Sequence, residues 1–524
     1  MDEHKKIARA AGVVGGATLL SRIFGFIRDM LVAQLFGAGM ATDAFFVAFR
    51  IPNLLRRLVG EGALTASFIP VYTEYISQRS KEESDELVNT SSSILAIFLI
   101  IVSALGVLFS PWIVKVIAYG FSQEPEKFRL TVLLNRLMFP YIFFIGLVAL
   151  AMGVLNSRKH FAAPALAPVL LNLSIIACAL FLSGMLTEPI LSLAIGVILG
   201  GVAQLLFQIP FLRRTGIVPR FLFNFSHPGV RRIGILMAPS VLGLAVTQLN
   251  MVVSTFLASY LPEGSVSYLY YADRLLEFPM GIFAMAIATA VLPTLSELSS
   301  KNDVQGLKEA FSFALRLVFF VTLPAMVGLV VLRVPILNLL FQRGAFNGHS
   351  TLMTAQALLY YALGLAAFAG VRIIVPAFYA LQDTKTPVKV ALVALLANAA
   401  LGCVLMVPLK HGGLAFATSL AAGLNFSLLA ILLKRRLGKL GAARIIRSFL
   451  RCMGASGLMG GVIYAICSGG AWDTTGVTAE KLGLLIGAIL VGILVYAVAC
   501  HLLGSEELHS ALEMIKKKIG GTDT

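Results

Sequence analysis

Four arginines interrupt stretches that are otherwise apolar: Arg22 and Arg28 near the N-terminus, Arg56 in the next stretch, and Arg274 past mid-chain. A charge at the centre of a bilayer costs about 2.5–3.5 kcal/mol on insertion scales, so such residues mark either a polar pathway or an internal pairing. The first stretch also holds Ser21 and Asp29. The second holds Asp43, Arg50, Asn53, Arg57 and Glu61, and the third holds Ser267, Tyr270, Tyr271, Asp273 and Glu277. On a helix of 3.6 residues per turn, Arg22 and Asp29 share one face, with Ser21 and Arg28 on the neighbouring one. Asp43, Arg50 and Arg57 form a stripe at seven-residue spacing, with Pro52 permitting a kink. At 1.5 Å per residue, Arg22 lies about 18 Å into its helix, and Arg56 and Arg274 lie about 22 Å and 12 Å from their nearer ends. Arg57 and Glu61 sit close enough to a boundary to snorkel. Asp29, Asp43, Asp273 and Glu277 are available as charge partners, so helix-fixing salt bridges are one reading of these arginines. The other is substrate binding. Arginine outnumbers acid here, and a planar guanidinium that never deprotonates suits phosphate oxygens. A cation antiporter would want surplus carboxylates instead.

The elements that must carry these residues are membrane helices. The chain has 524 residues, of which 58% are hydrophobic and 13% charged, and its mean hydropathy is +0.88. Apolar runs of about 20 residues, the length of a spanning helix, recur throughout. The alternating segments of about 10 residues expected of a β-barrel are missing. The expected spans are 10–36, 41–74, 89–118, 129–155, 162–184, 188–212, 230–260, 266–298, 310–341, 351–381, 387–408, 412–435, 446–468 and 480–504, fourteen in all. The first is a retained helix rather than a signal peptide, because it holds Arg22, Arg28 and Asp29 and lacks a cleavage site. Cys178, Cys403, Cys452, Cys467 and Cys500 all fall in apolar runs without CxxC spacing and read as small buried hydrophobes.

Basic residues cluster in alternate loops. One set holds Lys5, Lys6, Arg9, Arg79, Lys81, Arg158, Lys159, Arg213, Arg214, Arg220, Arg231, Arg232, Lys301, Lys308, Lys385, Lys434–Arg436, Lys439, Arg444 and Lys516–Lys518. The other holds scattered residues such as Lys127, Arg129, Arg343, Lys410 and Lys481. The positive-inside rule then places both termini in the cytoplasm. This asymmetry accounts for most of the net charge of +16 without nucleic acid, and it adds attraction to anionic headgroups. Residues 505–519, with Leu508, Leu512, Ile515 and Ile519 on one stripe, read as an interfacial helix.

The chain also repeats itself at a shift of about 225 residues. Leu155–Asn172 aligns without gaps to Leu381–Asn398. Arg50, Pro70 and Glu74 superpose on Arg274, Pro293 and Glu297 if one residue is skipped. Six spans separate the copies, so the halves run parallel, a transporter plan with the site at the repeat interface. The halves are 1–222 and 223–440, and 441–524 adds two helices and a tail.

The stretches Ser21–Pro70, Gly264–Gly281 and Asp383–Ala391 resemble the signatures of the MurJ/MviN lipid II flippase family. The resemblance covers essentially the whole chain. It implies an all-α polytopic protein of the multidrug/oligosaccharidyl-lipid/polysaccharide exporter superfamily. Such a protein flips undecaprenyl-pyrophosphate-linked peptidoglycan precursor to the periplasmic leaflet of the bacterial inner membrane by alternating access through a cationic cavity. Carried over by motif position, the cavity arginines fall on Arg22, Arg28, Arg56 and Arg274, with Ser21, Asp43, Asn53, Ser267 and Glu277 at polar cavity positions. The last two helices, with Gly454, Gly457, Gly460 and Gly461, correspond to a groove for the lipid tail. Some members bind sodium in the second half. Here Asn398 is followed one turn later by Gly402 rather than a carboxylate, so no metal or cofactor is expected. Asp383 reads as the cap of the helix at 387, and His160 and His411 read as solvated loop residues.

Lipid II, membrane lipids and the cell-wall synthesis machinery are the partners this implies. No Walker A loop, HExxH or nucleophile–base pair is present, and FGAGMATD is a turn. The competing readings are export of another lipid-linked oligosaccharide, drug or cation antiport, a polyprenyl-pyrophosphate membrane enzyme, and a scaffold. The enzyme would need carboxylates gathered at one face.

Overall fold

The computed structural model describes residues 3–57, 64–217, 220–509 and 513. Among them there is no strand, and the chain forms two compact units, Met1–Ser267 and Tyr268–Thr524. The division falls one helix beyond the repeat boundary expected at 222. The repeat concerns sequence kinship, whereas the units concern packing.

The first unit begins with α1 (Glu3–Phe36), α2 (Met40–Leu55), α3 (Thr65–Gln78), α4 (Lys81–Leu108) and α5 (Ser110–Ile117). It continues with α6 (Pro125–Met138), α7 (Tyr141–Ser157), α8 (Ala162–Phe181), α9 (Leu191–Arg214) and α10 (Pro228–Ala258). Gly37 makes the turn out of α1 with φ of 68°, a backbone that a Cβ disfavours. Ser80 and Glu83 form a reciprocal capping box at the start of α4, satisfying backbone donors the helix cannot. α8 packs on α1 and α9. A Cβ built at Gly196 of α9 would meet the Cα of Ile175 at 2.7 Å. With Gly200 one turn on, this is the small-residue contact by which membrane helices approach closely. Phe68, Tyr72, Leu87, Val154 and Leu155 centre one buried cluster.

The second unit holds α11 (Ser265–Pro279, whose first turn reaches back into the first unit's residues), a π-helical turn at Met280–Ala284, α12 (Met285–Ser300), α13 (Val304–Leu340), α14 (Gly348–Leu363) and α15 (Leu365–Ala380). It ends with α16 (Lys385–Leu437), α17 (Ala442–Cys467) and α18 (Ala479–Leu502). α16 is broken at Lys410, where φ is 50°. Asp303, Asn347 and Thr478 cap α13, α14 and α18 through their side chains. α17 and α18 pack on α13 around Met459, Ile463, Leu485 and Tyr496.

Each expected span falls on one of these helices, on a consecutive pair, or on one arm of α16. Among the described residues nine helices are long and apolar enough to cross a membrane alone, or ten with the bent pair α14–α15. The protein is an all-α polytopic membrane protein.

The sequence reading needs two adjustments. His411 is not solvated: it is buried, and its Nε2 lies 2.8 Å from the Met353 carbonyl, because the break at Lys410 folds it inward. His160 is exposed. Cys403 is exposed while the other four cysteines are buried. Of the tail stripe, Leu512, Ile515 and Ile519 lie outside the described residues, as do Lys516–Lys518 and, in the second span, Glu61. The tail's opening turn is anchored: Arg316 of α13 pairs with Glu506 at 2.7 Å and Glu507 at 2.6 Å. Burial pushes the Glu507 carboxyl up, but hydrogen bonds from Ser505, its own backbone and Ser448, together with Arg316, hold it below its ordinary value. Asp383 does cap: its carboxylate accepts the Thr386 N–H at 2.9 Å and the Thr386 hydroxyl at 2.7 Å, and pairs with Arg436. These contacts lower its pKa.

Candidate functional site

The four arginines have different surroundings. Arg22 is exposed on α1, and among the described residues it has no hydrogen-bond or ion-pair partner. Arg28, two turns on, is buried and held from two sides. Its Nε and Nη2 donate to Asp29 Oδ1 at 3.0 and 2.7 Å, and its Nη1 donates to Asn172 Oδ1 at 3.0 Å. Asp29 therefore serves its chain neighbour rather than Arg22. Asn172 Nδ2 donates to the Ser21 carbonyl at 3.2 Å, so one amide on α8 joins Ser21 to Arg28.

Arg56 follows the last residue of α2, and its Nε donates to Asn53 Oδ1 at 2.9 Å. Pro52, inside α2, lies close to this end. In the second unit Arg274 pairs with Glu277 across one turn at 2.6 Å and stacks over the Tyr270 ring at 5.5 Å. It keeps 31% of its side chain exposed, and Asp273 beside it is exposed. Arg50 donates to the Thr255 hydroxyl.

Asp43 has a different role from the arginines. It is 1% exposed and pairs at 3.1 Å with Lys127, itself 1% exposed, from α6. It also accepts the Gly264 N–H at 2.8 Å, the Ser267 N–H at 2.9 Å and the Ser267 hydroxyl at 2.7 Å. The carboxylate thus sits where α11 begins, where unpaired N–H groups favour an anion. Lys127 lies over the Phe121 ring at 4.3 Å. Ser267 is fully buried and engaged in this cluster.

Lys127, Asn172 and Thr255 are the residues that sequence reasoning missed. Lys127 stands in the polar run QEPEKFR, which reads as a loop, and nothing local marks it as buried. Asn172 was visible as a deep asparagine shared with Asn398, but its partner on α1 was not. Asn398 accepts the Thr418 hydroxyl at 3.3 Å. No group of three or more His, Cys, Asp or Glu side chains positioned for a metal occurs among the described residues.

The bridge from α8 carries a prediction. Asn172→Leu removes both contacts and leaves part of the Arg28 guanidinium unmatched, costing about 1–3 kcal/mol. Asn172→Asp keeps the acceptor for Arg28. Transport should therefore drop in the leucine variant and persist in the aspartate variant at equal folded amounts; equal transport by both would remove Asn172 from any role in positioning Arg28.

Among the described residues, Arg22 is an exposed arginine with no partner, whereas Arg28, Arg56 and Arg274 each have a guanidinium held by a neighbouring side chain. The family described as lipid II flippase MurJ matches residues 32–481. The chain belongs to that family. It is 39% identical over 489 residues to the lipid II flippase MurJ of Burkholderia cenocepacia, covering 92% of this chain and 94% of that protein. It is 38% identical over 512 residues to a Vibrio cholerae protein named "Probable lipid II flippase MurJ", covering 95% and 97%. A solved structure named "Lipid II flippase MurJ, inward closed conformation" superposes with a TM-score of 0.76 at 30% identity, covering 93% of this chain and 98% of that one. An inward-facing multidrug-resistance MATE transporter of the MOP superfamily matches with a TM-score of 0.64 at 17% identity, a likeness of fold alone. Arg22, Asp43, Asn53 and Arg56 of this MurJ-family chain fall within the matched region or just ahead of it, as does Arg274.

Proposed function

We propose that the arginines of α1, α2 and α11 hold the pyrophosphate of lipid II while this chain carries it from the cytoplasmic to the periplasmic leaflet by alternating access. Membership of the MurJ family makes the chain a lipid II flippase, a transporter rather than an enzyme, working in peptidoglycan biosynthesis at the bacterial inner membrane. The observation that carries the site assignment is Arg22. It is a permanently charged, exposed guanidinium well inside α1, the first span of the sequence reading, and no described residue neutralises it. Arg28, Arg56 and Arg274 add positive charge already oriented by Asn172, Asn53 and Glu277. Oriented donors lose less freedom when a phosphate arrives.

Three further elements belong to the proposal. The loop charges set both termini in the cytoplasm. Residues 1–222 and 223–440 act as parallel halves. The polyprenyl tail runs along α17 and α18, where Gly454, Gly457 and Gly461 meet nothing within 4 Å while Gly460 packs against Val327. Membrane lipids and the cell-wall synthesis machinery are the remaining partners.

The deciding experiment compares substrates in reconstituted vesicles. Pyrophosphate-linked lipid should be flipped in strong preference to a neutral lipid carrying the same sugar. Equal handling of the two would remove the cationic-site assignment while leaving family membership intact.

A further inference from the structure

Between α9 and α10 the chain runs through RFLFNF, Arg220–Phe225, without helix. Three phenylalanines stand at alternate positions, and all are strongly exposed: Phe221 81%, Phe223 61% and Phe225 70%. In an extended segment successive side chains point to opposite faces, so Phe221 and Phe223 share one face, and Phe225 follows in the turn that closes at His227.

This segment is pinned rather than loose. The Arg220 N–H donates to Asn89 Oδ1 at 2.9 Å, and the Leu222 N–H donates to Ser93 Oγ at 3.0 Å. Four residues of α4 rise about 6 Å and two residues of extended chain rise about 6.6 Å, so the two spacings match and the segment lies along α4. A turn closed by the His227 N–H on the Asn224 carbonyl then leads into α10.

The anchor points set its depth. The first three turns of α4, Lys81–Ser93, are polar, and from Ile94 the helix is apolar. Asn89 and Ser93 lie about 12 and 18 Å from the start of α4, where polar helix gives way to hydrocarbon-facing helix. A non-helical backbone cannot enter the hydrocarbon core with open N–H and C=O groups. Rings exposed at this level lie against the headgroup–acyl boundary.

The flanking charge is of one sign. From Arg213 to Arg232 the chain holds five arginines and no carboxylate. Arg232 is engaged by Glu74 at 2.8 Å, and Arg214 stacks on Phe211. Arg213, Arg220 and Arg231 are exposed and have no carboxylate partner among the described residues. Acidic residues of the adjoining α4 turn are partly used: Glu83 pairs with Arg79 and Asp85 with Arg158. Aromatic rings at the boundary beside unpaired guanidinium groups fit an anionic phospholipid, with its acyl chain on the rings and its phosphate on the arginines.

We propose that Phe221, Phe223 and Phe225, with Arg213, Arg220 and Arg231, form an anionic-phospholipid-binding strap that fixes the linker between α9 and α10 to the membrane surface. Its function is separate from the transport site. It anchors the ends of α9 and α10 at a set depth and makes their surroundings responsive to the anionic lipid content of that leaflet.

The test is a tryptophan scan of positions 221–225 in the full-length protein, with the signal of the two native tryptophans subtracted. Each variant is reconstituted in phosphatidylcholine vesicles with and without phosphatidylglycerol, using lipids brominated near the headgroup end of the acyl chain. Positions 221, 223 and 225 should be quenched by lipid more than 222 and 224, an alternation that survives the loss of any one variant to misfolding. Brominated phosphatidylglycerol should quench Phe223→Trp at lower mole fraction than brominated phosphatidylcholine. Replacing Arg213, Arg220 and Arg231 together by glutamine should erase that preference, each arginine contributing roughly fivefold in lipid affinity. Quenching by aqueous iodide but not by lipid would overturn the proposal and leave the rings as a water-exposed or protein-docking face. Equal quenching by the two lipids in the parent protein would overturn the anionic assignment.

Discussion

Asp43→Ala is expected to lower the stability of the folded protein by about 3–5 kcal/mol, the usual cost of breaking a buried ion pair by removing one partner. The substitution leaves the Lys127 ammonium 1% exposed with the carboxylate gone. The Phe121 ring at 4.3 Å remains its nearest compensation, and a cation–π contact recovers only part of a lost charge pair. Two backbone donors, Gly264 and Ser267, lose their acceptor in the same step. Lys127→Met should be milder, because the Asp43 carboxylate keeps three donors, and the double variant Asp43→Asn with Lys127→Met should recover much of the loss. Thermal unfolding in detergent tests the ranking. A melting temperature for Asp43→Ala equal to that of the parent would show that the pair does not stabilise the fold. The expectation applies to stability, so reduced transport by this variant would not by itself place Asp43 at the substrate.

Arg22→Ala is expected to do the reverse, leaving the fold intact and removing transport. No described residue depends on Arg22 for a hydrogen bond, so truncation leaves nothing buried and unmatched. Removing a charged donor from a bound pyrophosphate costs about 1.5–3 kcal/mol, roughly 10- to 150-fold in binding. Complementation of a flippase-depleted strain should fail while membrane levels and melting temperature stay at parental values. Arg28→Ala gives the contrast. It also removes the Arg28 donors from Asp29 and Asn172, so it should lose stability as well as transport. Arg274→Ala should resemble Arg22→Ala, with Glu277 half exposed and able to hydrate. Full growth with Arg22→Ala would remove that residue from the substrate site.

Several features of this protein were legible without coordinates because they are local. Whether a run of residues can cross hydrocarbon depends on its own side chains, so α8, α9, α17 and α18 were placed to within a few residues. The cap at Asp383 was legible for the same reason, since its side chain satisfies the backbone three residues on. The arginines inside apolar runs announced themselves by the cost of putting a charge in hydrocarbon. The motif-level resemblance named the family because signatures of this length are themselves sequence.

The tertiary structure decided who pairs with whom. Asp43 finds Lys127 across 84 positions and Ser267 across 224, and Arg28 finds Asn172 across 144. Neither hydropathy nor periodicity carries information about partners that far apart. The same holds for His411, which a break in α16 turns from an expected loop residue into a buried one. Composition and order along the chain determined that charges would stand within otherwise apolar runs. Folding alone determined that Asp43 is held by a lysine, Arg28 by an asparagine, and Arg22 by no described residue. The reason is physical: the cost of burying a charge is a property of the residue, whereas its neutralisation is a property of whatever the fold brings within about 3 Å.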